Sequence, residues 1–288
     1  MRYRFVQQYA QQFPITLLCR VLQVSPSGYY AWRLRPESLG QQANHTLVGQ
    51  IRAVQRHSRG TYGRRRIQAQ LRAQGTRCSI NRVARLMRQH GLVARPRGRF
   101  RTTTDSRHHF PVAPNLLGRD FSARAPDQVW ASDITYLATD EGWLYLATVM
   151  DLYSRRIVGW AMQPTLERSL TLSALEMAVA QRQPAPGLIH HSDRGVQYAC
   201  EDYQASLTRH GMRGSMSRKG DPWDNAPQES FYGSLKGELT HDRHASRAQA
   251  RREVFEYLEV FYNRQRLHSS LGYLSPVAFE SQRAAKAA

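Results

Sequence analysis

The chain has 288 residues, enough for one large domain and a smaller companion, and its 41 Lys+Arg against 22 Asp+Glu give a formal charge of +19. That excess goes beyond what solubility requires and points to a polyanionic partner. No apolar run approaches the roughly 18 residues of a membrane span, no signal-peptide core opens the chain, and the scattered Cys19, Cys78 and Cys200 offer neither a disulfide framework nor a zinc site, so a soluble cytoplasmic protein is expected.

Only Lys219, Lys236 and Lys286 are lysines, leaving 41 − 3 = 38 arginines. Arginine suits bidentate phosphate contacts, and the same bias follows equally from a GC-rich genome. Five regions are expected. Residues 1–40 carry apolar helical spacing at Ile15, Leu17, Leu18, Val21 and Leu22, a turn at 24–28, and an aromatic group of Tyr29, Tyr30 and Trp32. This predicts a helix, a tight turn and a second helix opened by Ser25 or Ser27. It reads either as a DNA-contacting helix pair or as an adaptor packing its aromatics.

Residues 41–97 space three helices, through Leu47, Ile51 and Val54, through Ile67 and Leu71, and through Ile80, Val83, Leu86 and Met87. Gly75 separates the last two and Ser79 can cap the third, the pattern of a helix-turn-helix. Its outer positions, Arg64, Arg65, Arg66, Arg82 and Arg85 among them, are basic with almost no acid, which favours a DNA-binding face over a merely solvated one. Residues 98–124 change to a basic, Ser/Thr-rich and Pro-containing stretch, a linker expected to lie on DNA phosphates and to order with them.

From 125 to 245 the period becomes two, predicting strands at 128–137, 143–150 and 156–162 joined by turns at Asp140-Glu141-Gly142 and Tyr153-Ser154-Arg155. A helix at 168–182, a strand at 187–192, a helix through Tyr203 and Leu207, a strand at 213–216 and a helix carrying Glu229 follow. This order fits a ribonuclease-H-like fold, an α/β domain with a mixed five-stranded sheet and flanking helices, preceded by the all-α helix-turn-helix region. The right-handed crossover rule lets the 187–192 strand lie parallel to the first, bringing Asp193 toward Asp133. Residues 246–288 start with a helix capped by Ser246 and spaced by Val254, Phe255, Leu258 and Phe261; a basic tail with Arg264, Arg266 and His268 is expected to reach DNA. No heptad run is present, so a zipper partner must come from elsewhere.

Asp133 sits in an apolar, β-branched run, where an unpaired carboxylate is costly to bury. With Asp193 and Glu229 it forms a set of hard oxygen ligands with no cysteine cluster, which suits Mg2+ or Mn2+ rather than zinc. His190 and His191 are read as packing or orienting groups, Asp151 as the pin of its turn, and Asp224 and Asn225 as helix caps, with Asn225 a possible DNA contact as well. The separation of Asp193 from Glu229 is 229 − 193 − 1 = 35 residues. An Asp on a first strand, an Asp ending a later one and a Glu 35 residues on resemble the signature of transposases and retroviral integrases. The segments DITY, DLYSRRIVGW, HSDRGVQY, DNAPQESFYGSLKGEL and YNRQRLHSSLGYLSPVAFE narrow the resemblance to the second-frame (OrfB) products of bacterial insertion sequences.

That resemblance, which spans nearly the whole chain, implies a metal-dependent DNA transposase. Asp133, Asp193 and Glu229 would be catalytic and metal-binding, holding two Mg2+ ions with Mn2+ able to substitute, and Lys236 would contact the donor-end phosphate beside them. The implied partners are double-stranded DNA, both element ends and target, an upstream-frame OrfA-type protein joined by frameshifting, and further copies of the chain on DNA, with no membrane. The implied location is the bacterial cytoplasm, on the nucleoid. Two other classes remain open at this stage: a non-catalytic regulator that binds element ends, and a plain ribonuclease-H-type nuclease, which would not need the helical region.

Overall fold

The computed structural model describes residues 1–95, 110–239 and 243–287, so the 98–109 part of the expected linker lies outside the described residues. The chain divides into two units, Met1–Arg52 and Ala53–Ala288. No helix among the described residues is long and apolar enough to cross a membrane.

In the first unit, α1 (Arg2–Tyr9) precedes the two expected helices, α2 (Ile15–Val21) and α3 (Pro26–Leu34). Ser25 caps α3 by accepting from the Gly28 amide at 2.9 Å, with Pro26 at the first helical position. Val6, Leu18, Cys19 and Tyr29 form a small core, with Tyr3 and Trp32 stacked at 5.8 Å against it. The aromatics therefore pack on one another. α4 (Leu39–His57) follows, and the division between the units falls within it.

The second unit opens with α5 (Arg64–Ala73) and α6 (Ile80–Gln89), burying Ile67, Leu71, Val83, Leu86 and Met87. Gly75 adopts φ +84° at the end of α5, a left-handed conformation that ends a helix at little cost only for glycine. Ser79 caps α6, accepting from the Arg82 amide at 3.2 Å.

The sheet then begins with an antiparallel meander, β1 (Val129–Thr139), β2 (Gly142–Asp151) and β3 (Ile157–Gln163). α7 (Arg168–Arg182) crosses to β4 (Ile189–Ser192), parallel to β1, and α8 (Val196–Ala199) with α9 (Glu201–Arg209) leads to β5 (Arg213–Met216), parallel to β4. A 3-10 turn (Pro222–Asn225) runs into α10 (Ala226–Glu238). The strand order is β3-β2-β1-β4-β5, the expected mixed sheet, and a two-residue strand absent from the expected set, β6 (Arg243–His244), adds to the far end of β1. Trp130, Val149, Val158, Leu170, Leu175, Tyr203 and Leu207 close the core between the sheet and α7 and α9. At Gly159 a Cβ would overlap the Ala174 carbonyl, so the glycine lets α7 sit directly on β3.

Two expectations are corrected. Residues 110–124, assigned to a linker ordered by DNA, are held by the protein: Asn115 donates to Asp224 at 2.9 Å, the Leu116 amide to Ser215 at 3.0 Å, and Arg119 pairs with Asp221 and Asp224. At the C-terminus, α11 (Arg247–Phe255), capped by Ser246 as expected, continues as a π-helical stretch (Glu256–Tyr262), and a further helix, α12 (Pro276–Ala287), replaces a free tail. Arg266 does not reach outward: it is 2% exposed and forms a two-pronged pair with Glu238 at 2.7 Å on each prong.

Candidate active site

Trp130 and Ala131 on β1 face His190 and His191 on β4 in parallel register. Two residues further along each chain stand Asp133 and Asp193, at the carboxyl end of the strand pair, where strands lie about 4.8 Å apart. Both carboxylates line one cleft of about 540 Å³ together with Tyr136, Trp143, Leu166 and Val196. Burial raises the Asp133 pKa well above the usual carboxylate range, and the negative charges of Asp193 and Glu229 raise it further; the Ile134 amide and Lys236 oppose the shift. Burial also raises Glu229. The three carboxylates thus share one electrostatic neighbourhood, as their sequence positions imply.

Each aspartate is fixed by its own backbone. Asp133 Oδ1 accepts from the Ile134 amide at 2.8 Å, and Asp193 Oδ1 accepts from the Gly195 amide at 2.9 Å. Glu229 is placed by its helix, and here the sequence reading missed the working residues. Beyond Ala131 the edge of β1 has left β4, and its carbonyls need donors. α10 and the turn before it supply them: Asn225 Nδ2 donates to the Ser132 carbonyl at 3.3 Å, Gln228 Nε2 to that of Ala131 at 2.5 Å, and Tyr232 Oη to that of Asp133 at 2.5 Å. Thr148 on β2 links Gln228 and Tyr232 from below, at 3.2 and 2.8 Å. The signal in the sequence is Gln and Tyr four residues apart on a helix with no clean apolar stripe.

Asn225 is therefore turned inward at 5% exposure and makes no side-chain cap; among the described residues its Oδ1 is buried without a partner. Asp224 is no cap either. Its fully buried carboxylate accepts from the Arg218 amide and guanidinium, at 2.8–2.9 Å, and from Arg119 and Asn115. Those bonds, Arg218's first, hold its pKa far below the usual range. The capping role belongs to Asp221, which accepts from the Trp223 amide at 3.2 Å.

His190 and His191 are packing groups. His190 meets Ser132 at 2.8 Å and Tyr203 at 3.0 Å, and His191 meets Ser215 at 2.8 Å and the Asp224 carbonyl at 3.0 Å. Burial pushes their pKa down to about 3 and about 4, so both are neutral. Asp151 accepts from the Tyr153 amide at 3.1 Å and the Ser154 hydroxyl at 3.2 Å, pinning its turn.

Lys236 stands seven residues after Glu229, close to two helical turns and so on the same side of α10. Its ammonium lies 4.8 Å from the centre of the Tyr136 ring at the cleft wall; burial lowers its pKa, and Asp133 counters that. Arg64, Arg65 and Arg85 are exposed on α5 and α6, while Arg82 and Arg66 are half-buried, Arg66 lying over the Tyr62 ring at 5.5 Å.

Among the described residues no three His, Cys, Asp or Glu side chains are gathered tightly enough to hold an ion unaided. The pair of carboxylates at the cleft, Asp133 and Asp193, fits a small hard cation, which keeps several waters and takes one or two carboxylates plus substrate phosphate oxygens. It does not fit an all-protein zinc cage.

Profiles of two known domains cover most of the second unit. The integrase core domain matches residues 123–222, a second integrase core domain profile matches 210–276, and an HTH-like domain matches 42–100. The chain is 47% identical over 266 residues to a 31 kDa protein of insertion element IS600 from Shigella sonnei, covering 92% of this chain and 98% of that one. It is 45% identical over 285 residues to the InsF transposase of insertion sequence IS3A from Escherichia coli K12, covering 98% and 99%. A simian T-cell lymphotropic virus intasome structure aligns with 74% of this chain and 70% of its own, at 16% identity and a TM-score of 0.47. With HTH-like and integrase core domains in order and end-to-end likeness to InsF, the chain belongs to the IS3-type family of insertion-sequence transposases.

Proposed function

We propose that this transposase cleaves and joins DNA strands at the ends of its insertion sequence through Asp133, Asp193 and Glu229, and inserts the element into target DNA. The observation that carries the reading is the pair of carboxylates, Asp133 and Asp193, side by side in one cleft, with Glu229 and Lys236 close enough to act on Asp133. A regulator that only binds DNA has no use for negative charges held together where DNA must approach. In this reading the carboxylates hold two Mg2+ ions, for which Mn2+ substitutes. When bound, such ions raise the nucleophilicity of a water or 3′-hydroxyl and stabilise the leaving oxygen.

The chain's own residues supply position and charge. The backbone amides of Ile134 and Gly195 orient the two aspartates, and the donors of α10 fix Glu229 against β1. Lys236 offers its charge to the donor-end phosphate, and the cleft wall of Tyr136, Trp143 and Leu166 limits water around the reacting phosphate. No covalent protein intermediate is needed.

The assignment divides the chain into a helical segment at 1–40, a DNA-reading region at 41–97 that uses Arg64, Arg65, Arg66, Arg82 and Arg85, a connection at 98–124 whose 110–124 part is bound to the core, a catalytic core at 125–245 and a C-terminal region at 246–288. It also expects an OrfA-type upstream partner, several copies on DNA, and action in the cytoplasm on nucleoid DNA. Strand joining on end-containing DNA with Mg2+ tests it, with and without the upstream protein. Asp193→Asn should lose joining by more than about a hundredfold while still binding DNA, since several kcal/mol of transition-state stabilisation go with a metal ligand. Joining above that level would end the assignment.

A further inference from the structure

The segment DLYSRRIVGW holds two adjacent arginines with different fates. Arg156 pairs with Glu280 at 2.9 Å. Arg155, at φ +61° in the turn between β2 and β3, is half-buried, yet among the described residues it has no hydrogen bond or ion pair. A guanidinium withdrawn from water without an anion is costly, and a backbone conformation that a side-chain-bearing residue seldom adopts adds to that. Something must offset both.

Arg155 lines a cavity of about 260 Å³ with Arg66 from α5, Arg266 and His268 from the C-terminal segment, and Ser230 and Ser234 from α10. Of the three guanidiniums, Arg266 is matched by Glu238 and Arg66 lies over the Tyr62 ring. Among the described residues no carboxylate lines the cavity. His268 registers the resulting field: burial first, then Arg266, Arg66 and Arg155, drive its pKa far down, so it stays neutral. The cavity is smaller than the roughly 300–1,000 Å³ of small-molecule sites and is walled mainly by donors. It suits one compact anion.

We propose that this cavity seats a DNA backbone phosphate, held by the Arg155 and Arg66 guanidiniums with Ser230 as a hydroxyl donor. The proposal rests on the reading of the chain as acting on DNA. Its location says which phosphate class: Ser230 and Ser234 lie on the side of α10 turned away from Glu229 and Lys236, so the phosphate is not the scissile one but another along the bound duplex. Arg66 enters from the helix-turn-helix, so one phosphate would be gripped by the DNA-reading and catalytic parts together. That would set the register between them without reading sequence.

The test is DNA binding by the full chain in EDTA, where catalysis plays no part, on element-end duplex and on an unrelated duplex of equal length. Arg155→Gln should weaken both by the same factor and make the salt slope shallower by about 0.9, one phosphate contact. Between about 50 and about 200 mM salt, the wild-type advantage should then shrink about 3.5-fold, which is 4 to the power 0.9. Arg155→Lys should recover most of the slope, and the melting temperature of Arg155→Gln without DNA should equal or exceed that of wild type. An unchanged slope overturns the proposal, as does a lower melting temperature that accounts for the lost binding. Inorganic phosphate at constant ionic strength is the third arm: stabilisation of wild type by phosphate alone, with DNA binding of Arg155→Gln intact, would make this a free-anion site and overturn the DNA assignment. Asp193→Asn, run in parallel, should bind with the wild-type slope; its retention of joining would undo the catalytic assignment while leaving this cavity's role standing.

Discussion

Replacing Asp193 by Asn removes one of two like charges carried by adjacent strands while keeping the shape and the Oδ1 that accepts from Gly195. At a separation of about 5 Å and an effective dielectric constant of about 20, two carboxylates repel by about 3 kcal/mol. The raised Asp133 pKa lets that group take up a proton and escape part of this, so about 1–2 kcal/mol should be recovered near neutral pH. The second unit has 288 − 53 + 1 = 236 residues. For a domain of that size each kcal/mol moves the midpoint by about 2–4 °C, so Asp193→Asn in EDTA should melt about 2–8 °C above wild type. Mg2+ should reverse the order. At about a hundred times its dissociation constant an ion adds about 2.7 kcal/mol to wild type, more than the lead of the variant, which should gain little of it. Thermal melts of both proteins, with EDTA and with Mg2+, read all four states. A variant that melts below wild type in EDTA and gains from Mg2+ as wild type does would refute the idea of a charge-strained cation site.

Lys236→Ala should weaken end binding and joining together and make the salt slope shallower by about one contact; joining at wild-type rate and slope would reduce the residue to a cleft-wall lysine. Glu238→Gln leaves the buried Arg266 guanidinium facing a neutral group and should cost about 3–5 kcal/mol in urea unfolding, with a loss below about 1 kcal/mol speaking against a buried pair. Asp151 is pushed up to about 7 by burial, against 3.8 when free, so its folded form prefers the proton. Its penalty is absent below about pH 4 and grows as pH rises to about 7. Asp151→Asn should therefore gain stability relative to wild type across that window, and parallel stability profiles would contradict the shift.

What the sequence made legible was what it encodes locally. The period of two through Trp130–Leu137 marks β1, and Asp133 interrupting that run marks the site, because a carboxylate there has no local excuse. Ser25, Ser79 and Ser246 announce their helices for the same reason: a cap acts within three residues. The misreadings are tertiary. Arg266 looks like any arginine of a basic tail until Glu238, 266 − 238 = 28 residues earlier, is brought beside it. Asp224 sits at a cap position, yet Arg218 and Arg119 compete for it more strongly than a helix amide does. α1, with few apolar residues, gains its place from Tyr3 and Val6 packing on α2 and α3, which no local period reveals.

The three donors from Asn225, Gln228 and Tyr232 to successive carbonyls of β1 work as a ratchet pawl. Sliding α10 by one residue would break all of them at once, so Glu229 has a single allowed height above Asp133. In the loop that delivers the helix, Lys219 and Gly220 take no part in that grip on β1: both are exposed, with Gly220 at φ +70°, between Arg218 and the Asp224 carboxylate it binds. The interval between Asp193 and Glu229 is then a by-product of loop length, and the height of Glu229 is written in the pawl. A residue inserted between Lys219 and Gly220 should leave joining largely intact, whereas one inserted between Asn225 and Gln228 should abolish it, though both change the same count from 35 to 36.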